Sequence, residues 1–298
     1  MNRKVFFIVS LFVFIIFNLT TIAQSKKKSD AEIDELRGKV MCVEYKAFTK
    51  GETFFRLIPI KRVISDEYTI YNKDGSIFSH KQINGYKENY SISLYKYDER
   101  GNCIERIDSN YDEGITRSRV YNHIYKYDNS GNIIEESNYF NNEFSSKYYY
   151  KYDENGNCYE SISYESENDS AFSKTLYIRD KDKKKVEWIM YNKLGDLDSR
   201  FIREYDNNGN VIKVENFNQE DTLPSVTFYK YNDKNDITEQ SFFDNKTNTK
   251  YIVYKIKYKY DSKGNWIKGT KYNKDGSIEF IHKRKIKYYK DSVPAKSK

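Results

Sequence analysis

From Lys39 onward, short apolar runs alternate with clusters of turn-forming residues, the pattern of β-strands joined by tight connections. Val40-Met41-Cys42-Val43 and Thr53-Phe54-Phe55 flank the turn residues Thr49-Lys50-Gly51-Glu52. Pro59 and an irregular stretch to Asp66 precede the first clear repeat turn, Tyr71-Asn72-Lys73-Asp74-Gly75-Ser76-Ile77. One stretch then recurs. Tyr95 to Cys103 reads YKYDERGNC and returns as YKYDNSGNI from Tyr125, YKYDENGNC from Tyr150 and YKYDSKGNW from Tyr258. Its acidic residue marks copies at Asp98, Asp128, Asp153, Asp180, Asp206, Asn232 and Asp261, at steps of 25 to 30 residues. A near-constant interval of this length signals one supersecondary unit repeated.

The spacing within the unit has a chemical reason. In DxxG the aspartate accepts hydrogen bonds from backbone amides just ahead of it, and the glycine supplies the positive φ of a bulged hairpin. Gly101, Gly131, Gly156, Gly209 and Gly264 hold that place; Lys183 and Asn235 replace it in two degraded copies. Eleven residues after the marker stand Tyr139, Tyr164, Tyr191, Phe217, Phe243 and Tyr272, with Ser109 the exception. Each copy is strand, turn, strand, turn. The fold predicted is all-β: an antiparallel meander of repeated β-hairpins, roughly 16 strands by this reading, in one twisted, coiled sheet with a short N-terminal helix.

Strand alternation sorts the unit into faces. A bulged turn alone puts the two motif tyrosines on one face with the residues 5, 7, 9 and 11 after the marker. Position seven is charged in every copy: Glu105, Glu135, Glu160, Glu187, Lys213, Glu239 and Lys268. Charge there conflicts with a dry core. Either tyrosine hydroxyls satisfy the carboxylates as a structural ladder, or the face is an open groove in which tyrosine rings stack on a ligand and carboxylates bind its hydroxyls. The binding residues expected on the second reading are Tyr125, Tyr127, Glu135, Tyr150, Tyr152 and Glu160.

The chain ends add an address. Residues 1–23 read as a secretory signal peptide: Arg3 and Lys4, then an apolar run from Val5 to Phe17, then Thr21-Ile22-Ala23. Residues 24–38 are a linker with a short helix capped at Ser29 or Asp30 and ending at Gly38, residues 39–290 the repeat domain, and residues 291–298 a disordered tail. The expected location is outside the cytoplasm, in the periplasm, on the cell surface or secreted, with no membrane span after cleavage. The formal charge is +7, of which the signal segment carries two, leaving +5. Basic and acidic residues alternate through most of the chain, which argues against a nucleic-acid partner. Cys103 and Cys158 share a slot two copies apart, at roughly 19 Å across four strand spacings, too far for a disulfide.

The YxYDxxGN motif, from about Tyr68 to Tyr289, resembles the signature of the RHS or YD-repeat family, and the chain is similar to its short secreted members. In the large members this resemblance implies a β-rich strip wound into a shell around a toxin domain. His80, His123 and His282 share no metal-ligand spacing, so no metal site, cofactor or His-based acid–base site is expected. The periodic charges fit a repeated role better than a unique catalytic pair. The function expected is a non-catalytic exported repeat protein that binds a glycan or an envelope or secreted protein. The alternatives are an accessory or immunity-like component of an RHS-type toxin system and, third, a carbohydrate-active enzyme.

Overall fold

A computed structural model describes residues 29–50, 61–84, 89–112, 118–165, 172–180, 182, 184–218, 223–245 and 247–290. The expected signal peptide, Gly51-Glu52 with Thr53-Phe54-Phe55, and the tail lie outside these residues, whereas Thr49 and Lys50, expected in the turn, and Lys61 to Asp66, expected to be irregular, are strand. The strands in chain order are β1 Val40–Lys50, β2 Lys61–Tyr71, β3 Ile77–Asn84, β4 Tyr90–Tyr97, β5 Cys103–Tyr111 and β6 Arg119–Tyr127. Then come β7 Ile133–Phe140, β8 Glu143–Tyr152, β9 Cys158–Tyr164, β10 Ser173–Arg179, β11 Lys185–Tyr191 and β12 Leu197–Tyr205. The last six are β13 Val211–Asn218, β14 Ser225–Tyr231, β15 Ile237–Asp244, β16 Thr249–Tyr260, β17 Trp266–Asn273 and β18 Ile278–Tyr288.

Each strand pairs antiparallel with its neighbour in sequence, and β1 pairs with β18 as well as β2, from Val40↔Tyr288 to Thr49↔Phe280. The sheet therefore closes into an 18-stranded barrel. This corrects the expectation of an open coiled meander of about 16 strands. Strand twist accumulates over consecutive hairpins, and β1, which lies before the repeated motif, pairs with both the first and the last hairpin. Closure leaves no unpaired edge. The deciding pairing joins residues more than 200 positions apart, so no local pattern announces it.

Strand direction places every motif turn on one rim, together with the start of β1 and the end of β18. The segment from Ser29 to Lys39 braces the seam at that rim. Its helix, α1, is only Asp30–Ile33, with Ser29 and Glu32 forming a capping box. The expected two turns to Gly38 are not made, because Glu35 takes a positive φ of 58° and the following side chains turn to the barrel. Asp30 accepts from the Ile77 amide (2.7 Å) and the Tyr97 hydroxyl (2.7 Å), and Asp34 from the Tyr71 hydroxyl (2.5 Å). On the far side of the seam, the Arg37 amide donates to Asn265 (2.6 Å), which returns a bond to the Arg37 carbonyl (2.8 Å). Ala31, Leu36, Val40, Val43, Tyr71 and Ile77 form a buried apolar cluster beneath this brace.

Candidate functional site

The motif turn fixes where every side chain of the unit goes. Asp98 N donates to Asn102 O (2.9 Å), and Gly101 N to Asp98 O (3.0 Å), with Gly101 at φ 77°. The Asp98 carboxylate accepts from the amides of Arg100 (2.9 Å) and Asn102 (2.8 Å) and from the Asn102 side chain (2.9 Å). Asp128, Asp153 and Asp206 repeat this pattern. Burial raises the pKa of Asp153 and Asp206, but these bonds outweigh it and hold both carboxyls below the usual range.

A second irregularity follows the turn. Tyr97 pairs with Cys103, but Lys96 pairs with Glu105, so Ile104 is an extra residue in β5. The same shift falls between Lys126 and Tyr127, Lys151 and Tyr152, Glu204 and Tyr205, Lys230 and Tyr231, and Lys259 and Tyr260. One inserted residue moves everything after it to the other face. The motif tyrosines thus share a face with positions 5, 8 and 10 after the marker, and position 7 joins the motif lysine. Along β16, Lys255, Lys257 and Lys259 are exposed while Tyr254, Tyr258 and Tyr260 are half-buried. The less exposed tyrosine face lines the inside of the wall, and the charged face is its outside.

The six expected binding residues are accordingly divided. Glu135 and Glu160 are on the outer face, which corrects the shared Tyr/Glu face. Glu135 pairs with Lys126 (3.0 Å) and Lys147 (3.6 Å), and Glu160 with Lys151 and Lys174 (both 2.6 Å). Burial opposes ionisation of Glu135, yet the two lysines hold its carboxyl below its ordinary range; the Lys151 and Lys174 hydrogen bonds do the same for Glu160. In the copy at Asp206 the pair is reversed, with Lys213 Nζ 3.1 Å from Glu204. Tyr125, Tyr127, Tyr150 and Tyr152 lie on the inner face. Tyr127 and Tyr152 are engaged in the wall, donating to Cys103 O (2.6 Å) and Ile133 O (2.8 Å) of the preceding copy. Tyr97 to Ile77 O (2.9 Å) and Tyr231 to Val211 O (2.8 Å) repeat the bond, and Arg179 takes the role at Cys158 O (2.6 Å).

The inner face also gathers residues that the sequence pattern gave no reason to join. Asp108 Oδ2 lies 3.0 Å from Arg106 Nε and 3.2 Å from His123 Nε2. His123 Nδ1 is 2.5 Å from Asn138 Oδ1 and 3.7 Å from Glu136 Oε1, and the Tyr150 hydroxyl donates to Glu136 (3.1 Å). Burial lowers the His123 pKa, but the bonds to Asp108 and Glu136 prevail and push it up to about 9. Burial raises Asp108, and His123 with Arg106 reverses this, so its carboxyl stays ionised. The neighbouring Tyr95 is pushed up to about 12 by burial, and Tyr125 and Tyr150 are raised for the same leading reason. All three are neutral phenols at physiological pH. Tyr125 is buried, at 9% exposure, while Tyr95 and Tyr150 are half-buried. The cluster holds two positive groups and two negative ones beside partly exposed tyrosines, an arrangement able to exchange hydrogen bonds with a polar ligand.

An eight-stranded barrel is filled by its own side chains, whereas 16 to 18 strands leave a channel. Here 18 strands at about 4.8 Å, tilted by about 35–45° as closed barrels are, give a circumference of about 105–122 Å, a diameter of roughly 34–39 Å for a round section. Inner-wall tyrosines such as Tyr95, Tyr127, Tyr150, Tyr152 and Tyr258 are only half-buried, so the described inner side chains do not close into one dry core.

No family model matches the chain, and no curated protein matches its sequence. Solved structures do match. A porin-like protein from Bacteroides uniformis is similar at 8% identity and a TM-score of 0.44, over 84% of this chain and 98% of that one. The TcdB2-TccC3-Cdc42 structure is similar at 12% identity and a TM-score of 0.29, over 76% of this chain and 13% of that one. For TcdB2-TccC3 without its hypervariable C-terminal region the values are 12%, 0.29, 74% and 15%. The chain thus spans only a small part of the toxin-complex chains that it matches.

Proposed function

We propose that this is a non-catalytic, exported barrel that binds a glycan on its inner wall, around Tyr95, Tyr150, Arg106, Asp108, His123 and Glu136. The observation that carries the reading is the meeting of partly exposed tyrosines with a charge-balanced hydrogen-bonding cluster on one concave face. Aromatic rings stack on the apolar faces of sugars, and paired charged groups exchange hydrogen bonds with their hydroxyls. The exposed outer lysines in the middle of β16, Lys255 and Lys257, support an outer wall standing in water, because a lysine at the lipid face of a membrane barrel costs about 2–4 kcal/mol at the bilayer midplane. The apolar N-terminal segment supports export.

The test is a glycan array followed by calorimetry on any hit. Tyr150→Ala and Glu136→Gln should each weaken binding at least tenfold, while Glu135→Gln and Glu160→Gln leave it within twofold. Equal loss in both pairs, or no hit, would count against the inner wall as the site. The YxYDxxGN motif favours a second reading, an accessory or immunity-like partner of a toxin system. Neutralisation of a co-encoded toxin, undisturbed by Tyr150→Ala, would select it.

A further inference from the structure

The outer belt sets opposite charges across five of the motif hairpins; at Asp180 Glu187 faces the uncharged Ile178, and only the last copy sets like charges against each other. Lys126 faces Glu135, Lys151 faces Glu160, Lys230 faces Glu239, and Glu204 faces Lys213 with the signs exchanged. In the last copy Lys259 faces Lys268, Lys268 faces Lys283 on the next strand, and Lys283 faces Lys46 across the seam. Lys46 is satisfied by Glu44 (3.1 Å) and Asp66 (3.0 Å). The other three form no ion pair among the described residues; Lys283 lies only over the Phe48 ring, at 5.6 Å. Lys257 and Lys285 flank the row, both exposed and on the outer face.

Like charges set directly opposite one another on a sheet are destabilising. The chain keeps three in line where its own repeat elsewhere supplies an acid. We propose that the row Lys259, Lys268 and Lys283, with Lys257 and Lys285 beside it, is a docking strip for an acidic polysaccharide. The occupant follows from shape. The row runs across the strands at about 4.8 Å per lysine, and Thr270 and Ile281 adjoin it where a broad basic patch would carry more lysines. A narrow strip on a convex wall meets a linear polyanion along its length, and meets a flat membrane only along a line. This outer site is separate from the inner wall and does not depend on it.

The test uses the purified protein on immobilised dextran sulfate, with neutral dextran, DNA and vesicles containing phosphatidylglycerol as comparisons. Dextran sulfate should be bound most tightly, with affinity falling as salt rises. Lys259→Gln, Lys268→Gln and Lys283→Gln together should weaken binding at least tenfold. The charge-matched set Lys126→Gln, Lys151→Gln and Lys230→Gln should change it less than twofold. Lys268→Glu, which restores opposite charge across the hairpin, should weaken binding as much as the first set while leaving the melting temperature unchanged or higher. Equal loss in the two triple variants, no binding to dextran sulfate, or tighter binding to DNA or vesicles would overturn the proposal.

Discussion

The two faces of the barrel wall are built from the same strands and stabilised in different ways. On the outside, cross-strand pairs such as Lys126–Glu135 and Lys230–Glu239 match charge with charge at 3.0 and 2.9 Å, in contact with solvent. On the inside, neutral hydroxyls tie one copy to the preceding one through backbone carbonyls, as Tyr127 does to Cys103 at 2.6 Å. The outer pairs tolerate reversal, as Glu204–Lys213 demonstrates within this chain. The inner bond spans two hairpins, so Tyr or Arg can make it and a shorter residue cannot. Repetition therefore carries different weight on the two faces: outside it conserves a charge balance, inside a length and a donor.

The faces are set by the register after the motif turn, where an extra residue stands in every copy except the one at Asp180, and shifting that register by one more residue should have the largest effect. Inserting one alanine between Ile134 and Glu135 would set Glu135 opposite Tyr125 on the inner face and put Glu136 on the outer one. The expected outcome is loss of cooperative folding, measured by thermal unfolding, since two ion pairs and the His123 cluster are lost together. Tyr127→Phe keeps the ring and removes the hydroxyl, leaving the Cys103 carbonyl without that donor. It should cost about 1–2 kcal/mol in denaturant unfolding, against a smaller effect for Tyr139→Phe, whose ring packs on Phe144.

His123 sharpens the contrast through pH. Its pKa rises on folding from 6.5 to about 9, so its stabilising contribution is complete below pH 6.5 and is lost as pH rises through 9. After allowance for solvent screening the contribution is about 1–2 kcal/mol. His123→Gln should flatten the stability profile between those pH values. The smallest effect belongs to the outer belt. Glu135→Gln should cost about 0.2–1 kcal/mol, and the exchange Lys126→Glu with Glu135→Lys should restore most of it.

Much of this architecture was legible in the chain. The repeat interval, the antiparallel hairpins, the Asp and Gly roles in the turn and the cap at Ser29 follow from local backbone chemistry, which acts over a few residues. The closing β1–β18 pair was not legible, because it is a long-range contact between strands that lack the turn motif. The face of Glu135 was misread because a bulge within β7 leaves no glycine or proline to mark it; the signal available was the charge itself, which fits a lysine opposite better than a tyrosine. The Arg106, Asp108, His123 and Glu136 cluster was missed for the same reason. Only the shifted register brings positions 8 and 10 of two copies to the inside beside a histidine.

The most direct test of this division is a pair of distances across the barrel between β7 and β15. With Cys42, Cys103 and Cys158 replaced by serine, nitroxide labels are attached at positions 135 and 239, and in a second protein at 136 and 240. The bulged register predicts that the 135–239 distance, outside to outside, exceeds the 136–240 distance by roughly 20 Å, because alternate side chains project to opposite faces of the wall. A 136–240 distance equal to or longer than 135–239 would contradict it.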